Sequence, residues 1–234
     1  MKKLNFLLIL FLITSGSMVV NAQVSKSGPV EADEMFKALG GRKLWADLKS
    51  LYIKAKHLEP GIGSYQNEIW RGVDAFKLRI EQQNQDFHKL GLFSEKTGTI
   101  SYFKRDSSRQ LSAEDLSRFR KSNDQNIYVL LSKMAKDKSY IPSINGQRLE
   151  FHHQGEFIVA FILNDEKLPV VFITPSENNS PESVSYFNKW HKTNGYVHPA
   201  GGGPVGGNFF YVTEVWLPSN SVFEEAFEVK YEAN

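Results

Sequence analysis

Six histidines, His57, His88, His152, His153, His191 and His198, are the side chains best suited to acid–base or metal chemistry. Their spacing limits what they can do. None falls into an HExxH arrangement, which sets two imidazoles one helical turn apart on a common face. His152 and His153 are adjacent in a stretch with strand character, where neighbouring side chains point to opposite faces, so one metal cannot easily take both. Surface or satisfied-core histidine is the simpler reading, and no metal site is assigned. A second candidate is the run Gly201-Gly202-Gly203-Pro204-Val205-Gly206-Gly207. A phosphate cradle needs a helix behind its glycines and usually a Lys-Ser or Lys-Thr pair. Here Asn208-Phe209-Phe210-Tyr211-Val212 follows and reads as a strand. The glycine run is therefore expected to be a flexible hairpin connection, or a mobile flap at the mouth of a cavity.

Other chemistry finds still less support. The chain has no cysteine, which removes thiolate nucleophiles, thiolate metal sites and disulfides together. No GxSxG is present, no Ser-His-acid triad emerges from spacing, and the acids are scattered. No catalytic residue and no cofactor are assigned, and the expectation is a protein that is not an enzyme. Lys and Arg number 28 against 26 Asp and Glu, and Lys2 and Lys3 account for the excess. A balanced remainder without a basic stripe gives no general attraction to nucleic acid or an anionic membrane.

Those two lysines open a familiar pattern. The unbroken apolar run Phe6 to Ile13 follows, then Thr14, Ser15 and Ser17, then Val20-Asn21-Ala22. A basic start, a short apolar core and small residues three apart make a secretory signal peptide. The core is shorter than the roughly 20 apolar residues a spanning helix needs. Residues 1–22 are read as a signal cleaved after Ala22, residues 23–30 as a flexible leader, and residues 31–234 as one domain. A periplasmic, soluble mature protein without a transmembrane anchor is expected. The missing cysteine also excludes a lipid anchor at the cleavage site.

The elements that must position any site alternate in type. Met35, Phe36 and Leu39 recur at helical spacing from Glu31, Gly40-Gly41 interrupts, and Leu44, Trp45 and Leu48 resume it. Strands are expected at 51–58, 64–73, 75–83, 86–93 and 99–105. In the third of these, Phe76, Leu78 and Ile80 alternate with charged neighbours. Ser112 caps a second helical region reaching about Lys136, with a break near Asn123 and one apolar face at Ile127, Leu130, Leu131 and Met134. Strands return at 148–153, 156–163, 169–174, 183–190 and 208–217, and 221–229 is either a last strand or irregular. This order implies an α+β fold with a curved antiparallel sheet.

Phe157 to Leu163 (FIVAFIL) and Pro169 to Ile173 (PVVFI) are apolar throughout. Such strands need apolar surroundings on both faces. A few helices cannot cover both sides of so large a sheet, so it either folds over itself or lines an apolar cavity. Trp70, Phe76, Leu78, Phe161, Phe172, Phe209, Tyr211 and Trp216 are the candidate cavity wall. Ordinary core is the equally open alternative for each, because strand parity is not visible in the sequence.

Met35-Phe36-Lys37-Ala38-Leu39-Gly40-Gly41, with Leu44-Trp45 and Leu48-Lys49-Ser50-Leu51, resembles the amino-terminal helix of exported proteins of Bacteroidetes type. The later layout, with a helical insert and a second set of strands, is similar to the LolA-like lipoprotein-carrier superfamily. That resemblance implies an unclosed half-barrel whose concave face is covered by helices, and a cavity for a lipid or a lipoprotein acyl chain. It implies a periplasmic carrier without a cofactor, and no binding residue transfers from it. Two other readings stand beside the carrier: an envelope interaction module with a protein partner and no small ligand, and a hydrolase with an unrecognised site.

Overall fold

A computed structural model describes residues 27–176, 182–221 and 227. The expected signal peptide, most of the leader and nearly all of the tail after Ser221 lie outside the described residues. Helices α1 (Gly28–Ala38) and α2 (Arg42–Asp47) precede β1 (Ser50–Glu59), β2 (Gly63–Gly72), β3 (Leu78–Gln83), β4 (His88–Phe93), β5 (Gly98–Tyr102) and β6 (Ser107–Gln110). Helices α3 (Ala113–Asp124) and α4 (Ile127–Lys136) lead to β7 (Tyr140–Asn145), β8 (Arg148–His153), β9 (Glu156–Leu163), β10 (Pro169–Thr174), β11 (Ser183–Thr193), β12 (Tyr196–Pro204) and β13 (Phe210–Ser219).

All these strands form one antiparallel sheet in the order β6-β5-β4-β3-β2-β1-β13-β12-β11-β10-β9-β8-β7. Within β1–β6 and within β7–β13 consecutive strands pair, and the β1–β13 ladder joins the two meanders. The sheet is open: β6 and β7 are its two edges and do not pair. The chain must cross from one edge to the other between them, and α3 and α4 make that crossing over the concave face. The α+β fold with an unclosed curved sheet is thus the observed one.

Local chemistry explains the helix limits. Pro29 in the first turn and Glu31 near the amino end favour the start of α1, which begins at Gly28 and not at Glu31, so the end of the expected leader is helical. Gly40 (φ 99°) ends it, and a Cβ there would stand 2.1 Å from the Gly195 carbonyl oxygen. That close approach lets Val197 N donate to Leu39 O at 3.0 Å, seating the helix end on β12. Ser112 Oγ accepts from Asp115 N at 3.1 Å and Asn126 Oδ1 from Tyr128 N at 3.1 Å, capping α3 and α4. Helix α4 departs from the expected single apolar face. Ile127 to Ser132 and Met134 are all buried, because the sheet curls around it while α2 packs beside it.

Three strands depart from expectation. β6 (SSRQ) is exposed at every position and carries no apolar residue. β7 contains Pro142, which an edge strand tolerates. β12 absorbs Gly201, Gly202 and Gly203, correcting the expectation of a flexible loop or flap: only Val205 to Phe209 connects it to β13. A Cβ on Gly202 would lie 2.2 Å from Tyr186 O, and one on Gly203 2.2 Å from Phe209 O. The glycines let three strands approach more closely than side chains would permit. The expected strand 99–105 ends at Tyr102 and continues as a 3-10 turn over Phe103–Arg105. Two apolar clusters follow from this layout. The larger joins α1, α2 and α4 to the central and C-terminal strands, and the smaller sits under α3.

Candidate functional site

The concave face holds a cavity of about 390 Å³, inside the ~300–1,000 Å³ range of small-molecule sites. Strands β1 and β2 supply Ile53, Ala55 and Ile69, strands β10 and β11 supply Phe172 and Phe187, and Phe209 and Tyr211 close the far side. The roof is the α3–α4 joint, from Ser122 to Tyr128. Exposed Ser122 and Ser183 mark its solvent side. Gln125 Nε2 donates to Pro175 O at 3.2 Å and fastens the joint to the end of β10.

The walls are apolar, yet the floor is not. Arg71 is 7% exposed, and its Nη1 donates to Asn123 Oδ1 on the last turn of α3. Its Nε is buried without a hydrogen-bond partner, and it forms no ion pair among the described residues. Burial pulls its pKa down to about 10, so the guanidinium stays charged at neutral pH. Burial likewise pushes His57 down to about 4, which keeps it neutral. His57 Nε2 meets Asn67 Nδ2 at 3.1 Å. His57 Nδ1, Asn67 Oδ1 and Thr213 Oγ1 are all buried without partners. The ladders set Asn67 and Thr213 on either side of Ala55, so these orphaned atoms form a strip across the β2-β1-β13 seam. Burial also raises the Tyr128 and Tyr211 hydroxyls, and Tyr128 Oη donates to Pro199 O at 3.2 Å.

The eight candidate wall residues separate by position. Phe172, Phe209 and Tyr211 line the cavity. Phe161 is 0% exposed and lies behind the wall, its ring 5.8 Å from Phe172 and 6.0 Å from Phe151. Trp216 is packed among Trp45, Tyr128 and Tyr196 and stacks on His198 at 4.2 Å. Phe76 and Leu78 belong to the smaller cluster with Phe93, Ile100 and Leu116. Trp70 stands on the outer face, because Ile69 and Arg71 on either side of it point inward. Its ring meets Tyr52 at 4.8 Å and the Arg79 guanidinium at 4.7 Å.

A second cleft of about 580 Å³ runs between Glu59, Tyr65, His88, Lys89, Tyr102 and Lys104. Its lining is largely charged or exposed. His152 and His153 face Glu150 at 3.9 Å and Asp137 at 3.7 Å respectively. Among the described residues no group of three His, Asp or Glu side chains is placed to hold a metal. No described helix is long and apolar enough to cross a membrane.

No protein-family model matches this chain, and no curated protein matches it. Its fold is similar to the crystal structure of a DUF1329 family protein from Desulfovibrio piger, with a TM-score of 0.52 and 10% identity, over 86% of this chain and 96% of that one. A LolA superfamily protein from Nitrosomonas europaea aligns with a TM-score of 0.49 and 9% identity, over 86% and 98% of the two chains. A putative outer membrane lipoprotein-sorting protein domain from Vibrio parahaemolyticus aligns at 0.46 and 11% identity, over 85% and 94%.

Proposed function

We propose that this chain is a non-enzymatic binding or carrier protein for a lipid or lipoprotein acyl chain, working in the periplasm after export. The observation that carries the reading is the cavity: aliphatic and aromatic side chains on strands, roofed by the joint of two helices, within an open sheet. Burying a methylene there contributes about 0.8 kcal/mol, so an acyl chain gains affinity along its length. A fully packed interior would have favoured an interaction module without a ligand.

Native mass spectrometry of the protein purified from the periplasm, followed by organic extraction, tests the reading. A co-purifying fatty acid, phospholipid or acylated peptide is the expected result. A protein that arrives empty and also fails to bind a fluorescent fatty-acid probe overturns it.

A further inference from the structure

Arg71 is out of place in a site built only for hydrocarbon. Among the described residues lining the cavity it is the single side chain charged at neutral pH, since His57 is held neutral and no described Asp, Glu or Lys takes part. A buried ion without a counter-ion is costly, and interiors retain such groups where something compensates them. Arginine presents five N–H donors in a planar fork. Asn123 Oδ1 takes one of them, a neutral acceptor that leaves the charge unbalanced, and Nε has no acceptor at all. If the residue only tied β2 to α3, a neutral amide would serve without desolvating a cation.

We propose that the cavity takes an anionic amphiphile, whose carboxylate or phosphate pairs with the Arg71 guanidinium while its hydrocarbon lies along Ile53, Ile69, Ile127 and Phe172. This rests on the acyl-chain reading above and names the class of head group. The charged end sits beneath the α3–α4 joint, and the tail points toward Phe209. Fork-to-fork hydrogen bonding is the geometry arginine offers to either anion. Binding therefore supplies a counter-charge that is missing among the described residues.

Calorimetric titration of the full chain with dodecanoate, dodecyl phosphate and dodecanol tests this. The three probes share one tail and differ in the head group. At least one anion is expected to bind about 10- to 100-fold tighter than the alcohol, the scale of a charge-assisted hydrogen bond. A stronger carboxylate identifies free fatty acids as the source, and a stronger phosphate identifies a phospholipid-type head group. Arg71→Met is expected to erase the preference, Arg71→Lys to keep part of it, and Trp70→Ala on the outer face to leave it whole. Equal affinity for dodecanol in the unmodified protein overturns the anionic assignment and leaves the carrier reading standing. Binding of none of the three overturns both. The comparison in the unmodified protein decides the matter even if Arg71→Met does not fold.

Discussion

Phe161 and Phe209 are chemically identical, and the structure gives them different work. Phe161 is fully buried against Phe151 and Phe172 in the main core, with no access to the cavity surface. Replacing it by alanine removes most of a ring from a close-packed interior, which costs about 3–5 kcal/mol. In a domain of this size that lowers the Tm by roughly 6–20 °C, at about 2–4 °C per kcal/mol. Phe209 is half-buried, sits in the connection before β13, and faces the cavity and His57, whose ring is 4.9 Å away. Its removal opens no void in the core, so Phe209→Ala should change stability by less than about 1 kcal/mol. The lost contact with a bound chain should instead cost about 1.5–3 kcal/mol of affinity, a roughly 10- to 100-fold rise in Kd. Urea unfolding at constant m, paired with displacement of a fluorescent fatty acid from the folded fraction, measures both quantities on each variant. Equal stability losses with unchanged affinity for both would show that the cavity is not where the chain binds.

Three further outcomes follow from the geometry. Gly202→Ala puts a methyl group 2.2 Å from Tyr186 O and should destabilise by about 1–3 kcal/mol in thermal melts, whereas Gly206→Ala, where a Cβ meets nothing, suffers only the strain of its φ of 74°. His198 is buried and neutral, its pKa lowered to about 4 by burial, against about 6.5 in an unfolded chain. The unfolded chain therefore takes up the proton first, so this contribution is complete above pH ~6.5 and is lost as the pH falls toward 4, by roughly 3 kcal/mol in all. His198→Phe should flatten that part of the stability profile, and an unchanged acid limb would refute the assignment. Amino-terminal sequencing of protein recovered from the periplasm should begin at Gln23, and an intact Met1 would refute the cleavage reading.

What the sequence reveals depends on whether a residue's neighbours are local. Ser112 is legible as a cap because its acceptor role needs only residues three positions away. Alternation at Leu78 and Ile80 marks a strand wherever the sheet lies, although the expected strand 75–83 begins only at Leu78 and leaves Phe76 in the connection before it. Gly40-Gly41 marks a break between helices regardless of what packs there. Strands β6 and β12 carry no such mark: one is wholly polar and the other ends in three glycines and a proline. The cavity face is harder still. Trp70 and Arg71 are adjacent, and a ring beside a charge suggests ring inside and charge outside. Parity reverses this, and only the register of β1 against β2 and β13 fixes it. Arg71 also meets Asn123 from 52 positions away, so nothing in the neighbouring residues distinguishes it from a surface arginine.

The seam between β1 and β13 has a consequence in time. Every other ladder joins strands consecutive in the chain, whereas this one pairs Ser50 with Ser219 and Leu58 with Phe210. Local hairpins close within microseconds, but contacts so distant along the chain are slow to form. A chain emerging amino terminus first holds β1 with one row of amides and carbonyls unpaired until its last strand arrives. An exposed strand edge of that kind recruits other chains. The last ladder to zip is then the step at which folding competes with aggregation.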